Sequence, residues 1–194
     1  RMEIINVYDF DKTILPYDST EAFSLFCLRR HPRAMLTGLR AVPYAALMPL
    51  GLTTKTRAKE VFYSFLANLE DVDAEVEAFW AENLKNINAW YLAQRRSDDL
   101  VISASPEFLL RPAAEKLGFR LIASRVDRHT GWTLGENCYG EEKVLRLRAE
   151  YPEVEIAEFY SDSTSDTPLA RLAERAFLVK GSALSPWPER ELRP

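Results

Sequence analysis

The sequence is poor in the residues from which disulfide frameworks and zinc centres are built. Its 194 residues include only two cysteines, Cys27 and Cys138, and only two histidines, His31 and His129. The cysteines lie far apart without a CxxC spacing, and the histidines share no metal-ligand spacing. A disulfide scaffold and a zinc site are therefore disfavoured, and a reducing cytoplasm is the expected location.

An excess of positive charge and a long uncharged apolar run are also missing. The net charge is −4, which disfavours nucleic acid as a partner. No secretory signal is expected, because Asp9 and Asp11 interrupt the first apolar run. The most apolar stretch, residues 33–52, contains Arg40 and two prolines, so we do not expect it to span a membrane. Whether this stretch lies on a membrane surface is a question that the sequence leaves open.

Short apolar runs that alternate with helical patterns are typical of an α/β fold. We expect a Rossmann-like parallel sheet covered by helices on both faces. The predicted strands are residues 3–8, 100–103, 119–124, 156–160 and 176–180. A long block of helical periodicity separates the first strand from the second. We therefore predict an α/β core domain of residues 1–17 and 96–194, with residues 18–95 inserted as a helical cap.

The sequence also predicts the local structure of three further segments. Ser105 and Pro106 are predicted to be the N-cap and the first residue of a helix that ends near Gly118. Residues 127–140 contain three glycines and are predicted to form a turn-rich hairpin region. The proline-rich tail, residues 185–194, is predicted to be irregular.

Unusual polar clusters follow the predicted strands, where ligands bind in open parallel sheets. The first cluster holds Asp9 and Asp11, which point to the same side of an extended segment. Two carboxylates held close together need a cation or a shared proton. One can attack phosphorus, while the other protonates the leaving oxygen and later activates water. Taken alone, the pair is also compatible with a solvated turn.

The other clusters add a hydroxyl, a lysine and a second acidic pair. Ser103 ends the second predicted strand, where a hydroxyl can hold phosphoryl oxygens or cap a helix. Lys143 would neutralise phosphoryl charge if it reached the site, although a surface position is the usual place for lysine. Asp162 and Asp166 follow the fourth strand and supply oxygens that suit Mg²⁺, or an Asx turn.

Together and in this order, the four clusters resemble the haloacid dehalogenase superfamily of phosphohydrolases. The resemblance covers residues 3–17 and 97–181. It implies that Asp9 is the nucleophile and Asp11 the general acid/base. The presence of Asp11 implies phosphoryl transfer rather than dehalogenation, because the dehalogenase members lack that acid.

The resemblance also assigns the remaining site residues. It implies that Ser103 binds the phosphoryl group and that Lys143 stabilises its charge. The implied ligands of Mg²⁺ are Asp9, the backbone carbonyl of Asp11, and Asp162, with Asp166 in support. One departure is Lys12, where glycine or serine is common in the superfamily.

The helical block resembles the cap of the phosphoserine phosphatase-like branch, which closes over the site and carries specificity. Asp18 lies where that branch has an acidic substrate contact, and Arg57 lies near its carboxylate-binding arginine. A solvated helix face is the alternative for Arg57. The candidate substrate contacts are Thr13, Asp18, Arg57, Ala104 and Ser165.

A narrower resemblance concerns the substrate. Residues 28–52, together with motifs at 131–134, 140–144 and 160–169, resemble bacterial phosphatidylglycerophosphatases. A basic, apolar cap suits a lipid phosphate, although the same residues also suit a cap core.

The sequence thus predicts a magnesium-dependent phosphatase that acts through an aspartyl-phosphate. The preferred substrate is a small soluble phosphomonoester, with a lipid phosphate as the alternative and phosphotransfer as a third activity. A binding module without catalysis is disfavoured, since every motif residue is present. We expect a monomer or weak homodimer, with the site in the cleft between core and cap.

Overall fold

The computed structural model describes residues 3–36 and 40–193, except for the side chains of residues 41, 44, 45, 48, 55, 56 and 58. The strands of this part are β1 (Ile4–Tyr8), β2 (Leu100–Pro106), β3 (Arg120–Ser124), β4 (Glu155–Ser161), β5 (Ala173–Lys180) and β6 (Ala183–Pro186). They form one sheet in the order β3-β2-β1-β4-β5-β6. Neighbouring strands run parallel except for the β5–β6 pair. The predicted α/β class with a mostly parallel sheet is confirmed.

Helices fill the connections. Between β1 and β2 lie α1 (Ser19–Arg30), α2 (Pro32–Met35), α3 (Ala41–Leu47), α4 (Lys55–Tyr63), α5 (Val72–Asn83) and α6 (Ala89–Gln94). Short 3₁₀ turns lie at Met48–Leu50, Ser64–Asn68, Leu84–Asn86 and Thr164–Asp166. The later helices are α7 (Glu107–Leu117), α8 (Glu141–Glu150), α9 (Thr167–Ala170) and α10 (Glu189–Leu192). Within the two described ranges, no helix is long and apolar enough to cross a bilayer. Residues 37–39, inside the apolar stretch 33–52, lie outside the described residues.

The strand order decides where polar side chains meet. β1 pairs with β2 on one side and with β4 on the other, both in parallel. The carboxyl ends of these three strands therefore lie side by side at one edge of the sheet. β1 carries side chains that are buried on both of its faces from Ile5 to Tyr8, as a central parallel strand requires.

The helices between β1 and β2 share an apolar core with one face of the sheet. Trp80 on α5 is fully buried, and its indole Nε1 donates a hydrogen bond to the Leu109 carbonyl of α7 at 2.6 Å. Its ring meets Phe10, just after β1, edge to face at a centroid distance of 5.8 Å. Aromatic pairs of this geometry stabilise a core beyond their buried area. α5 is thus packed directly onto the α/β layers.

The C-terminal tail differs from its prediction, because it is not irregular. It forms part of β6 and then α10, and Trp187 between them is 3% exposed. The ring of Trp187 packs on Phe159 at a centroid distance of 5.7 Å. Pro186 ends the edge strand β6, where a missing N–H costs no ladder hydrogen bond. The prolines of this segment therefore permit ordered structure.

The start of α7 also differs from its prediction. β2 continues to Pro106, which pairs with Ser124 of β3, and the helix begins at Glu107. The Ser105 hydroxyl caps no helix, because it donates to the carboxylate of Asp11. A long-range contact thus replaces the local one that a Ser-Pro pair suggests.

The turn-rich region after β3 approaches the helical segment closely. Val126 and Thr133 form an antiparallel bridge around the turn. Gly131 in that turn has a φ of 76°, and a Cβ there would lie 2.5 Å from the backbone oxygen of Tyr63, at the end of α4. Both the backbone conformation and the close approach require glycine.

Two glycine substitutions separate these requirements. Gly118→Ala adds a Cβ with open space around it at a φ of 77°, so only the left-handed conformation is strained. We expect it to lower the free energy of unfolding by about 1 kcal/mol. Gly131→Ala adds the collision with Tyr63, and we expect a loss of at least about 2 kcal/mol. Urea unfolding followed by circular dichroism measures both, and equal losses would show that the contact at Gly131 yields easily.

Candidate active site

Polar side chains from three neighbouring strands line one cavity of about 820 Å³. Asp9 directly follows β1, Asp162 directly follows β4, and Ser103 is the middle residue of β2. Ser103 is 1% exposed, and its Oγ accepts a hydrogen bond from the backbone N–H of Ser105 at 3.1 Å. The floor of the cavity thus lies near the carboxyl ends of β1, β2 and β4, where the sequence analysis predicted that the polar clusters would meet.

A buried ion triad lies at this floor. Lys143, in the first turn of α8, donates to Oδ1 of Asp9 at 2.8 Å and to Oδ2 of Asp166 at 2.7 Å. The side chains of Lys143 and Asp166 are each 3% exposed, so water screens the pair of contacts poorly. Ser161 donates its hydroxyl to the same oxygen of Asp166 at 2.8 Å. Two carboxylates face one ammonium, which leaves a net negative charge.

The pKa values of Asp9 and Lys143 follow from burial and from the charges within this triad. Burial raises the pKa of Asp9 to about 7, the charge of Lys143 lowers it in part, and the charge of Asp166 raises it again. Burial acts against the charge of Lys143, but Asp9 and Asp166 outweigh that effect and raise the lysine pKa. Lys143 is therefore charged, while Asp9 needs further positive charge nearby to be fully ionised at neutral pH.

Asp11 is held by two donors. Its Oδ1 accepts the backbone N–H of Ser19 at 2.7 Å, and its Oδ2 accepts the hydroxyl of Ser105. Burial raises its pKa to about 6, and the charge of Asp18 adds to that rise against the two hydrogen bonds. A carboxyl group with a pKa in this range can both give and take a proton near neutral pH.

Behind Asp11 lies a chain of hydroxyls that the sequence did not predict. The Ser105 Oγ lies 3.3 Å from Oγ of Ser19 and 3.2 Å from Oγ1 of Thr20. The hydroxyl of Tyr63, on α4, donates to Thr20 at 3.4 Å. The chain thus joins the helical segment to the acid. These bonds connect residues 43 to 86 positions apart, for which no local pattern exists.

The acidic cluster fits a hard cation such as Mg²⁺ in its chemistry. Oδ1 of Asp166 is buried and has no hydrogen-bond partner. Asp9, Asp11 and Asp162 line the same cavity and offer the oxygen donors that Mg²⁺ prefers. In residues 3–36 and 40–193, no three acidic, histidine or cysteine side chains come together as a complete ligand group. Main-chain and water oxygens would have to complete a coordination shell, as is usual for Mg²⁺.

Three of the other predicted substrate contacts line the cavity, and Thr13 lies behind it. Asp18, Ala104 and Ser165 line the cavity. Asp18 also caps α1 by accepting the backbone N–H of Glu21 at 2.9 Å. Thr13 is fully buried, and its Oγ1 accepts the backbone N–H of Asp162 at 3.0 Å. Thr13 therefore joins the loop after β1 to the loop after β4.

The structure does not bring Arg57 to the cavity. Its guanidinium is half exposed and faces Glu60 at 3.5 Å. Lys59, two residues further along α4, does line the cavity and donates to Oδ1 of Asn137 at 3.2 Å. Two residues change direction by about 200° on a helix, so the sequence position alone does not fix which cation faces inward. Lys12 also lines the cavity and has a φ of 56°, a conformation that favours glycine.

Above the polar floor, the cavity walls are apolar. The wall residues come from α1 to α4 and the segments between them. They are Leu25, Leu28, Pro32, Met35, Leu36, Val42 and Phe62. The α/β layers thus supply the charged end of the cavity, and the helical segment supplies its apolar end.

Known proteins share this sequence pattern and fold. CicA of Caulobacter vibrioides is 29% identical over 187 residues, which cover 88% of this chain and 83% of that protein. A crystal structure of a protein with unknown function from Bordetella pertussis Tohama I has a TM-score of 0.73 at 24% identity, covering 91% of this chain and 89% of the other. A phosphoserine phosphohydrolase-like protein from Francisella tularensis SCHU S4 has a TM-score of 0.52 at 12% identity, covering 91% and 86%. The two structures show a common fold.

The family follows from the sequence match. A family model described as haloacid dehalogenase-like hydrolase matches residues 7–171. That span holds every motif residue from Asp9 to Asp166 and most of the chain. The predicted superfamily is confirmed, and the chain belongs to the haloacid dehalogenase-like hydrolases.

Proposed function

We propose that this protein is a magnesium-dependent phosphatase that hydrolyses phosphate monoesters through an aspartyl-phosphate. The observation that carries the proposal is the buried triad of Asp9, Lys143 and Asp166 beside a firmly held Asp11. Membership of the hydrolase family supports it, as does the fold shared with a phosphoserine phosphohydrolase-like protein.

Phosphate binding needs donors and positive charge at the cavity floor. The Ser103 hydroxyl and the Lys143 ammonium both line the cavity beside Asp9. A phosphoryl group at this floor would take their hydrogen bonds and bring its phosphorus near the Asp9 carboxylate. Catalysis of phosphoryl transfer depends mainly on such positioning and charge neutralisation.

In the first step, a carboxylate oxygen of Asp9 forms a bond to phosphorus. Oδ1 lies in the ion pair with Lys143, which leaves Oδ2 outside that pair. The bond between phosphorus and the ester oxygen breaks, and Asp11 gives its proton to that leaving oxygen. The raised pKa of Asp11 suits this role, because its carboxyl group retains a proton closer to neutral pH.

In the second step, Asp11 acts in the opposite direction. Its carboxylate takes a proton from a water molecule while the water oxygen attacks phosphorus. The acyl phosphate bond breaks, which regenerates the Asp9 carboxylate and releases inorganic phosphate. The hydrogen bonds from Ser19 and Ser105 keep Asp11 in one orientation for both proton transfers.

The residues that would hold Mg²⁺ are Asp9, the main-chain carbonyl of Asp11, and Asp162, with Asp166 in support. When bound, the ion would neutralise phosphoryl charge and lower the proton affinity of the nucleophile. The raised pKa of Asp9 supports the need for this extra positive charge.

Residues 18–95 are proposed to act as a cap that selects the substrate. The helices of this segment form the apolar wall of the cavity, and α4 places Lys59 in it. A small soluble phosphomonoester needs only the polar floor. The apolar wall favours the second candidate, a lipid phosphate, since Leu25 and Leu28 can cover acyl chains.

The nucleophile has a direct test. Asp9→Asn keeps the shape of the side chain but removes its nucleophilic oxygen pair, so turnover of para-nitrophenyl phosphate should fall by at least about a thousandfold. The matched control is Asp98→Asn, at a partly exposed carboxylate outside the cavity that pairs with Arg96 at 2.7 Å. The control should retain full activity. An Asp9→Asn protein that is folded and active would exclude the aspartyl-phosphate.

Magnesium binding can be measured without turnover. A saturating Mg²⁺ concentration should raise the thermal unfolding midpoint by about 5 °C or more, because the ion binds only the folded carboxylate cluster. Asp162→Asn should remove most of this rise, whereas Asp98→Asn should keep it. A midpoint that does not respond to Mg²⁺ in the unaltered protein would contradict the proposed metal site.

The apolar wall can be tested by substrate comparison. Leu28→Gln should lower kcat/KM for phosphatidylglycerophosphate in mixed micelles about tenfold, because an apolar contact is lost. The same variant should leave kcat/KM for glycerol 3-phosphate unchanged. The control is Leu145→Gln, at a side chain 64% exposed on α8. Equal losses on both substrates would remove the argument for a lipid phosphate and leave hydrolysis itself untouched.

A further inference from the structure

Charge is distributed unevenly along this acidic chain. Residues 22–59 contain seven lysines and arginines and not one aspartate or glutamate. The rest of the chain holds 18 basic and 29 acidic residues, a net charge of −11. The basic segment covers most of α1 to α4, and the acidic residues of these four helices are Glu21 in the first turn of α1 and Glu60 near the end of α4. Positive charge is thus concentrated beside the mouth of the cavity, whereas the net charge of the whole chain is negative.

The same segment exposes large apolar side chains. Leu36 and Val42 are 61% and 63% exposed, and Leu50 and Leu52 are each 69% exposed. Single exposed leucines are ordinary on a protein surface, but a series within one short segment is not. The series consists of Leu25, Leu28, Leu36, Val42, Leu47, Leu50 and Leu52.

Four of the seven side chains in the exposed series also line the cavity. Leu25, Leu28, Leu36 and Val42 are exposed to solvent and also line the cavity that ends at Asp9. Arg29, Arg33 and Arg40 are exposed at positions between these side chains. An apolar surface with arginines at its border is what an anionic bilayer binds, since the apolar groups enter the acyl region and the cations face lipid phosphates.

We propose that the exposed face of α1, α2 and α3, with the turn after α3, is a docking surface for an anionic phospholipid bilayer. Leu50 and Leu52 enter the interface, and Arg33 and Arg40 pair with lipid headgroups. The mouth of the cavity then faces the bilayer, so a lipid can reach the polar floor without crossing water. Docking depends on the surface alone and does not require the proposed hydrolysis.

The experiment is flotation of the full chain with two kinds of vesicle. One kind is phosphatidylcholine, and the other is phosphatidylcholine with about one third phosphatidylglycerol. We expect binding to the anionic vesicles only, and we expect added salt to weaken it, because screening acts on exposed charges. Turnover of para-nitrophenyl phosphate is measured on the same samples, so loss of docking and loss of hydrolysis are told apart.

Two variants test the two components of the surface. Arg33→Glu/Arg40→Glu removes cations, and Leu50→Ser/Leu52→Ser removes apolar groups. Each should lower the bound fraction on anionic vesicles by about tenfold or more. Neither pair lines the cavity, so turnover of para-nitrophenyl phosphate should stay unchanged.

The matched controls are Arg190→Glu, at a side chain 86% exposed near the C-terminus, and Leu145→Ser on α8. Both controls should bind vesicles as the unaltered protein does. The proposal is overturned if the unaltered protein binds neither vesicle, or if the controls lose binding as the variants do. It is also overturned if the leucine variant only converts a dimer to a monomer in light scattering, since a second copy would then cover this face.

Discussion

The buried contact of Lys143 with Asp9 and Asp166 is the interaction on which the site depends. It joins three separate parts of the chain, namely the end of β1, the first turn of α8 and the turn after β4. Each charge is costly to bury alone, and removal of one partner leaves the others uncompensated. The parallel order of β2, β1 and β4 makes the contact geometrically available. Fold and chemistry are therefore coupled at this one point.

Much of this arrangement could be predicted, because motif residues follow strands and strand ends converge in a parallel sheet. Asp9, Asp162 and Ser103 reach a common cavity for that reason. The hydroxyl network behind Asp11 could not be predicted. Ser105 followed by proline has the local pattern of a helix cap, yet its hydroxyl is bound to a carboxylate 94 residues away. Only the folded chain brings those groups together.

The other differences between the predicted and the observed structure, at Arg57 and in the C-terminal tail, also have physical causes. The direction of Arg57 depends on the rotation of α4 about its axis, and burial of Tyr63, the last residue of this helix, favours one rotation. The tail is ordered because Trp187 is buried in an apolar cluster with Ile5 and Phe159, and its backbone N–H donates to the Ala176 carbonyl at 2.8 Å. Tertiary burial thus overrides the local preference of a proline-rich segment.

The close approach of Gly131 to Tyr63 has a mechanical consequence. The helical segment is joined covalently to the sheet at its two ends, and this backbone contact, with the Thr133 N–H on Glu60 at 3.2 Å, adds a non-covalent tie at the end of α4. Trp80 on α5 and Ser19 on α1 make further contacts with the α/β layers. The segment therefore cannot tilt as a whole without breaking contacts at several separate places, and a motion that widened the cavity would have to release the contact at Gly131 or leave the end of α4 where it is.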